Sequence, residues 1–86
     1  MGVEEKVEAL VEMMKEILED RTVPRNIKRA VENAISELTN TENELRVRIN
    51  GCVSILDEIS TDPNIPLYTR TELWNIVSMV EKLGEE

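Results

Sequence analysis

Histidine and phenylalanine are absent from the 86-residue chain, cysteine occurs once, and Tyr68 and Trp74 are its only aromatic residues. Without histidine the chain lacks the one side chain that titrates unaided near neutral pH, and with it the commonest transition-metal ligand. A single cysteine, Cys52, can build neither an internal disulfide nor a thiolate zinc cage. Its position within an apolar stripe predicts a small core residue rather than a reactive thiol. The three glycines, Gly2, Gly51 and Gly84, belong to no phosphate-cradling loop, nucleotide fingerprint or nucleophile elbow. No apolar run approaches the roughly 20 residues of a membrane span, and MGVEEKVEAL carries acids where a secretory signal needs cations. A cytoplasmic protein is expected. Gly2 is followed by Val3-Glu4-Glu5-Lys6, which fits the myristoylation pattern poorly. Cations are scarce as well: 10 Lys and Arg face 18 Asp and Glu, for a net charge of −8. Such a balance opposes general affinity for nucleic acid or an anionic membrane.

What is present is helical periodicity. Apolar residues at 41% and charged residues at 33% describe a folded chain, and its length predicts one domain over residues 1–86. Val3, Val7, Leu10, Val11, Met14, Ile17 and Leu18 recur at threes and fours, placing one stripe on one helix face. Pro24 interrupts the pattern, and a second stripe follows at Ile27, Ala30, Val31, Ala34, Ile35 and Leu38. Thr22 is expected as its cap. A third stripe holds Leu45, Ile49, Cys52, Val53, Leu56 and Ile59, and a fourth Leu73, Ile76, Val77, Val80 and Leu83. Thr41 with Glu44 and Thr69 with Glu72 have capping-box spacing, which puts the fourth start between Pro66 and Thr69. No useful stretch alternates with period two, so the fold class is all-α.

The chain also repeats itself. A shift of 42 positions lays Val11–Leu38 on Val53–Val80 without a gap, matching Val11 with Val53, Glu16 with Glu58, Ile17 with Ile59, Asp20 with Asp62, Pro24 with Pro66, Asn33 with Asn75 and Ser36 with Ser78. Two helical hairpins are therefore predicted, over residues 3–39 and 42–83, each bent at an Asp-x-x-[Val/Ile]-Pro corner. The corner resembles that of HEAT-type repeats, with Asp20, Ile27, Lys28, Val31, Ala34, Ile35 and Leu38 at the corresponding places. Two copies are too few for a solenoid, so a four-helix bundle is expected, with a HEAT-like pair as the alternative.

Candidate sites lie in the residues these patterns leave over. Arg21, Arg25, Lys28 and Arg29 crowd the start of the second helix, where positive charge opposes the helix dipole. Glu16, Glu19 or Asp62 are expected to pair with them inside the fold, and an acidic partner is the alternative. Val47, Gly51 and Ile55 make a second line on the third helix. Gly51 inside a helix suggests close approach of another backbone, and Trp74 suits an interface anchor. Carboxylates at Glu12, Glu16, Glu19 and Asp20 cluster without the histidine that bundle metal sites usually add.

The stretches Asp20-Arg21-Thr22-Val23-Pro24-Arg25-Asn26 and Leu56-Asp57-Glu58-Ile59, followed by Asp62-Pro63-Asn64, closely resemble the small archaeal Uncharacterised Protein Family 0147. That resemblance implies a short, soluble, four-helix protein of unassigned function, and it brings no catalytic residues to carry over. The resulting expectation is a non-enzyme with no cofactor and no metal. It would self-associate or bind another protein through the third-helix line (Val47, Gly51, Ile55) and Trp74. A first alternative is an RNA- or ribosome-associated factor using Arg21, Arg25, Lys28, Arg29, Arg46, Arg48 and Arg70 as a basic patch. A second is a weak carboxylate binder of a metal or ligand.

Overall fold

Each apolar stripe becomes the buried face of one helix in the computed structural model, which describes residues 2–85. The helices are α1 (Val3–Leu18), α2 (Arg25–Thr39), α3 (Leu45–Ser60) and α4 (Leu67–Leu83), and no strand occurs among the described residues. None of these helices is long and apolar enough to cross a membrane. The longest dimension is 33 Å, room for one 17-residue helix of about 25 Å with its corners and not for two end to end. The helices therefore lie side by side, and their short connections make successive helices antiparallel neighbours.

The helices form a closed ring. α1 packs on α2, α2 on α3, α3 on α4, and α4 returns to α1, while among the described residues the backbones of neither diagonal pair come together. Stacked HEAT-like hairpins would instead set α1 against α3, so the closed bundle replaces that alternative. At its centre Met14, Ile17, Ile27, Val31, Leu38, Leu56, Leu73 and Ile76 are almost wholly buried, each side chain contributing about 1.5–3 kcal/mol by leaving water. The repeat is visible in this burial: Met14 and Leu56, Val23 and Ile65, Val31 and Leu73, Ala34 and Ile76, and Leu38 and Val80 are buried at equivalent positions. It also reaches further back than sequence identity does, to Val7 with Ile49 and Leu10 with Cys52. In the ring this equivalence is a half-turn about the bundle axis, which exchanges α1 with α3 and α2 with α4.

One corner design serves all three connections. Asp20, Asn40 and Asp62 each accept, through the side-chain Oδ1, the backbone N–H two residues on: Thr22 at 2.8 Å, Glu42 at 3.1 Å and Asn64 at 2.8 Å. Their carbonyls then accept the N–H of Val23, Asn43 and Ile65, closing a compact turn. The next residue, Pro24, Glu44 or Pro66, is extended and opens the helix. Val23 and Ile65 meanwhile plug the bundle end. The Asn40 corner was not legible as a member of this set, because it has Asn43-Glu44 where the others have an aliphatic residue and proline.

These corners overturn the expected caps. Thr22 does not cap α2; its hydroxyl donates to Asp20 Oδ1 at 2.6 Å, and Pro24 is the N-cap. Thr41 and Glu44 form no capping box, since Glu44 itself is the N-cap of α3. Thr69 and Glu72 form no capping box either, since Thr69 lies inside α4, which starts after its N-cap Pro66, within the expected Pro66 to Thr69 interval. In each case the Asx turn has already organised the chain before the threonine could.

A cation completes the corner. Arg48, in the first turn of α3, donates from Nε to the Leu38 carbonyl in the last turn of α2 at 2.7 Å. Arg70, at the same station on α4, donates from Nε to the Ser60 carbonyl at 2.9 Å and from Nη2 to the Asp62 carbonyl at 3.0 Å. Terminal helix carbonyls lack intrahelical donors and carry the negative pole of the dipole, so a guanidinium there is favourable. Lys28 holds the station on α2, where its charge acts on Asp20. On α3 and α4 a cation near the helix start thus serves the end of the helix before; Arg25 and Arg29 of α2 do not stand at that station.

Candidate interaction surface

Large apolar side chains that the core does not absorb gather on α4. Leu67 is 71% exposed, Tyr68 70% and Trp74 55%. Leu67 and Trp74 stand seven residues apart, two helical turns, and so share the outward line of α4 with Thr71 and Ser78. Tyr68 falls one line over, with Glu72 and Met79, toward α1. The half-turn that relates the hairpins sets these three against Arg25, Asn26 and Glu32 of α2, all polar and all exposed. Buried positions therefore match across the repeat while the outward face changes from polar to apolar. Core packing does not require that change.

The third-helix line is distributed differently from its sequence pattern. Val47 is exposed, but Ile55 packs partly against the core. Gly51 is half-buried, and the Glu37 side chain of α2 lies where a Cβ on residue 51 would stand. The backbone approach expected at this glycine is therefore replaced by a side chain from the neighbouring helix. Leu67 lies off the α4 stripe in the sequence, and the seven-residue spacing after the α4 N-cap is the signal that joins it to Trp74. Tyr68 carried no comparable signal.

The cations divide into used and unused. Arg48 is only 5% exposed and, besides its backbone bond, forks onto Glu4 with both contacts at 3.1 Å. Arg70 is engaged with two carbonyls, and Arg46 sits at the opposite end of the bundle from Arg21. The basic patch of Arg21, Arg25, Lys28, Arg29, Arg46, Arg48 and Arg70 is thus not assembled as one surface. Exposed Arg21, Arg25 and Arg29 form no ion pair with a described residue. Their expected pairing with Glu16, Glu19 or Asp62 is absent, because Arg21 is exposed in the corner and Arg25 and Arg29 lie on the outward face of α2.

Titrating groups report the same geometry. Hydrogen bonds from the Arg48 side chain, aided by its charge, hold Glu4 below the usual glutamate range. The Thr22 hydroxyl and backbone N–H do the same for Asp20, with Lys28 assisting. Burial, with the Glu37 carboxylate nearby, pushes the Cys52 thiol up to about 12, so it stays protonated and inert. Glu72 is raised by desolvation first and then by Glu16 and Asp20. Among the described residues no three acidic or thiol side chains converge in a way that could hold a metal ion.

Residues 1–83 match the family model described as uncharacterised protein family UPF0147. A UPF0147 protein of Pyrococcus abyssi is 46% identical over 58% of this chain and 58% of its own length. Another, of Methanosarcina mazei, is 46% identical over 59% of this chain and 56% of its own; these alignments span somewhat more than half of the curated relatives. Two crystal structures share the fold. One, of the unknown-function protein MMP1188, has a TM-score of 0.84 at 50% identity, covering 88% of this chain and 86% of that one. The other, a UPF0147 protein from Thermoplasma acidophilum, has a TM-score of 0.86 at 30% identity, covering 93% and 94%.

Proposed function

The chain belongs to the uncharacterised protein family UPF0147, and within that family we propose that it is a non-catalytic binding module whose outward α4 face docks a protein partner. The observation that supports this reading is the break in the repeat. Where the first hairpin shows Arg25, Asn26 and Glu32 to solvent, the second shows Leu67, Tyr68 and Trp74. Exposed apolar clusters on soluble domains mark association surfaces, and tryptophan and tyrosine are the side chains that most often anchor them. Leu67 and Trp74, rigidly held two turns apart, suit two pockets on an apolar helix or groove. The third-helix residue that remains outside, Val47, is a peripheral member at most.

The repeat itself supplies the test. Leu67→Arg, Tyr68→Asn and Trp74→Glu install the residues that the other hairpin carries at the same stations, so the fold is retained. Immobilised wild type is expected to retain specific proteins from a Methanosarcina mazei lysate in a salt-insensitive way, and the triple variant to lose them. Identical retention by both forms, or none by the wild type, refutes the reading.

A further inference from the structure

The half-turn symmetry also makes the α1/α4 seam the counterpart of the α2/α3 seam, and the two are finished differently. In α2/α3 the Glu37 side chain lies over Gly51 and Arg48 folds inward onto Leu38. The equivalent α1/α4 positions hold Met79, Ala9 and Lys6, and there the helices pack less extensively. A groove of about 290 Å³ remains, with Leu10 in its floor, Met13 and Met79 in its walls, and Lys6 and Lys82 at one end. Two of the chain's lysines thus line one groove on a body of net charge −8.

The other end of the seam has the opposite sign. Glu16 and Glu72 lie close enough there to repel one another, with Asp20 adding to the effect. Lys6 to Glu16 on α1 and Lys82 to Glu72 on α4 are each ten residues, so about 15 Å separates the two ends along either helix. Ala9 and Met13 are placed evenly about the midpoint of the first interval. Asn75 and Met79 are placed evenly about the midpoint of the second. A surface with cations at one end, anions at the other and a mostly apolar centre, Ala9, Met13 and Met79 with uncharged Asn75, evenly between is complementary to itself when turned end for end. That is the requirement for an isologous twofold contact.

The geometry points to a second copy of this chain as the occupant of the α1/α4 seam, docked antiparallel about a twofold axis. In that dimer Lys6 faces the second copy's Glu16, Lys82 faces its Glu72, and Met13 and Met79 meet at the centre. Both copies' carboxylates gain a cation that their own fold does not bring to them at this seam. Outward Leu67 and Trp74 lie on the neighbouring line of α4 and stay free, while Tyr68, on the line of Glu72 and Met79, borders the seam; the Leu67 and Trp74 part of the docking face is thus independent of this contact.

Sedimentation of the full chain from micromolar to millimolar concentration tests this, with a charge swap as the probe. The wild type is expected to approach twice the monomer mass. Lys82→Glu and Glu72→Lys should each weaken dimerisation by about tenfold or more, since each turns two symmetric attractions into repulsions. The double variant should dimerise like the wild type. Ten residues separate positions 82 and 72 within one chain, so such a rescue needs contact between copies. Helicity by circular dichroism confirms that each variant is folded. Leu67→Arg with Trp74→Glu should leave the mass unchanged. A wild type that is monomeric throughout, a dimer indifferent to the single reversals, a double variant no better than either, or a dimer lost with Leu67 and Trp74 would each overturn the assignment.

Discussion

Replacing Thr69 by valine should stabilise the protein. Thr69 lies in the first turn of α4, is 1% exposed, and its hydroxyl has no hydrogen-bond partner among the described residues. Its repeat counterpart, Ile27, is equally buried and wholly apolar. A buried polar group without a partner costs about 1–3 kcal/mol, and valine keeps the shape while removing that cost. Urea unfolding followed by circular dichroism is the assay. With a slope of about 1 kcal/mol per molar for a small chain, the midpoint should rise by about 1 M or more at unchanged slope. Thr69→Ala, which also removes the hydroxyl but leaves a small void, should fall close to wild type because the two effects offset. A midpoint lowered by valine would refute the reasoning. It would mean that the hydroxyl is satisfied in solution, and serine at this position should then be better tolerated than alanine.

Arg48→Met keeps the buried stem but removes the donor to the Leu38 carbonyl, so a loss of about 1–3 kcal/mol is expected, read as a drop in melting temperature. Because Glu4 is held low by Arg48, its share is present above the ordinary glutamate range and is lost as pH falls through its lowered value. The gap between wild type and variant should therefore narrow in acid. Cys52, with its thiol pushed up to about 12 under full burial, should react with a thiol reagent only at the rate of unfolding. Prompt labelling of the native protein at pH 8 would contradict that burial.

The helices were legible because burial obeys the 3.6-residue period: Met14, Val31, Leu56 and Ile76 stand where their stripes place them. The repeat was legible for the same reason, since equivalent core stations accept similar side chains. The caps were not. A threonine three residues before a glutamate occurs easily by chance, whereas the working corner depends on an Asx side chain whose effect is purely local. The roles of Arg48 and Arg70 were hidden too, because each reaches ten residues back across a turn, a relation set by the bundle and not by helical spacing. Gly51 was legible as unusual, but its neighbour Glu37 comes from another helix and no local pattern names it. The polar-to-apolar switch between Arg25 and Leu67 was present in the aligned halves. Its meaning depended on knowing that both stations face outward.

The corner cations also bear on how the molecule opens. With Arg48 and Arg70 bonded to the helix before their own, the final turn of α2 or α3 cannot fray without releasing the first turn of its successor, so each such corner opens as a two-helix event. Amide exchange there should be slow and correlated across the connection. At the α1–α2 corner the station is held by Lys28, which influences Asp20 through its charge and lacks the forked guanidinium geometry. The end of α1 is therefore the loosest of the three corners, the place where exchange should begin and from which α1 would peel first.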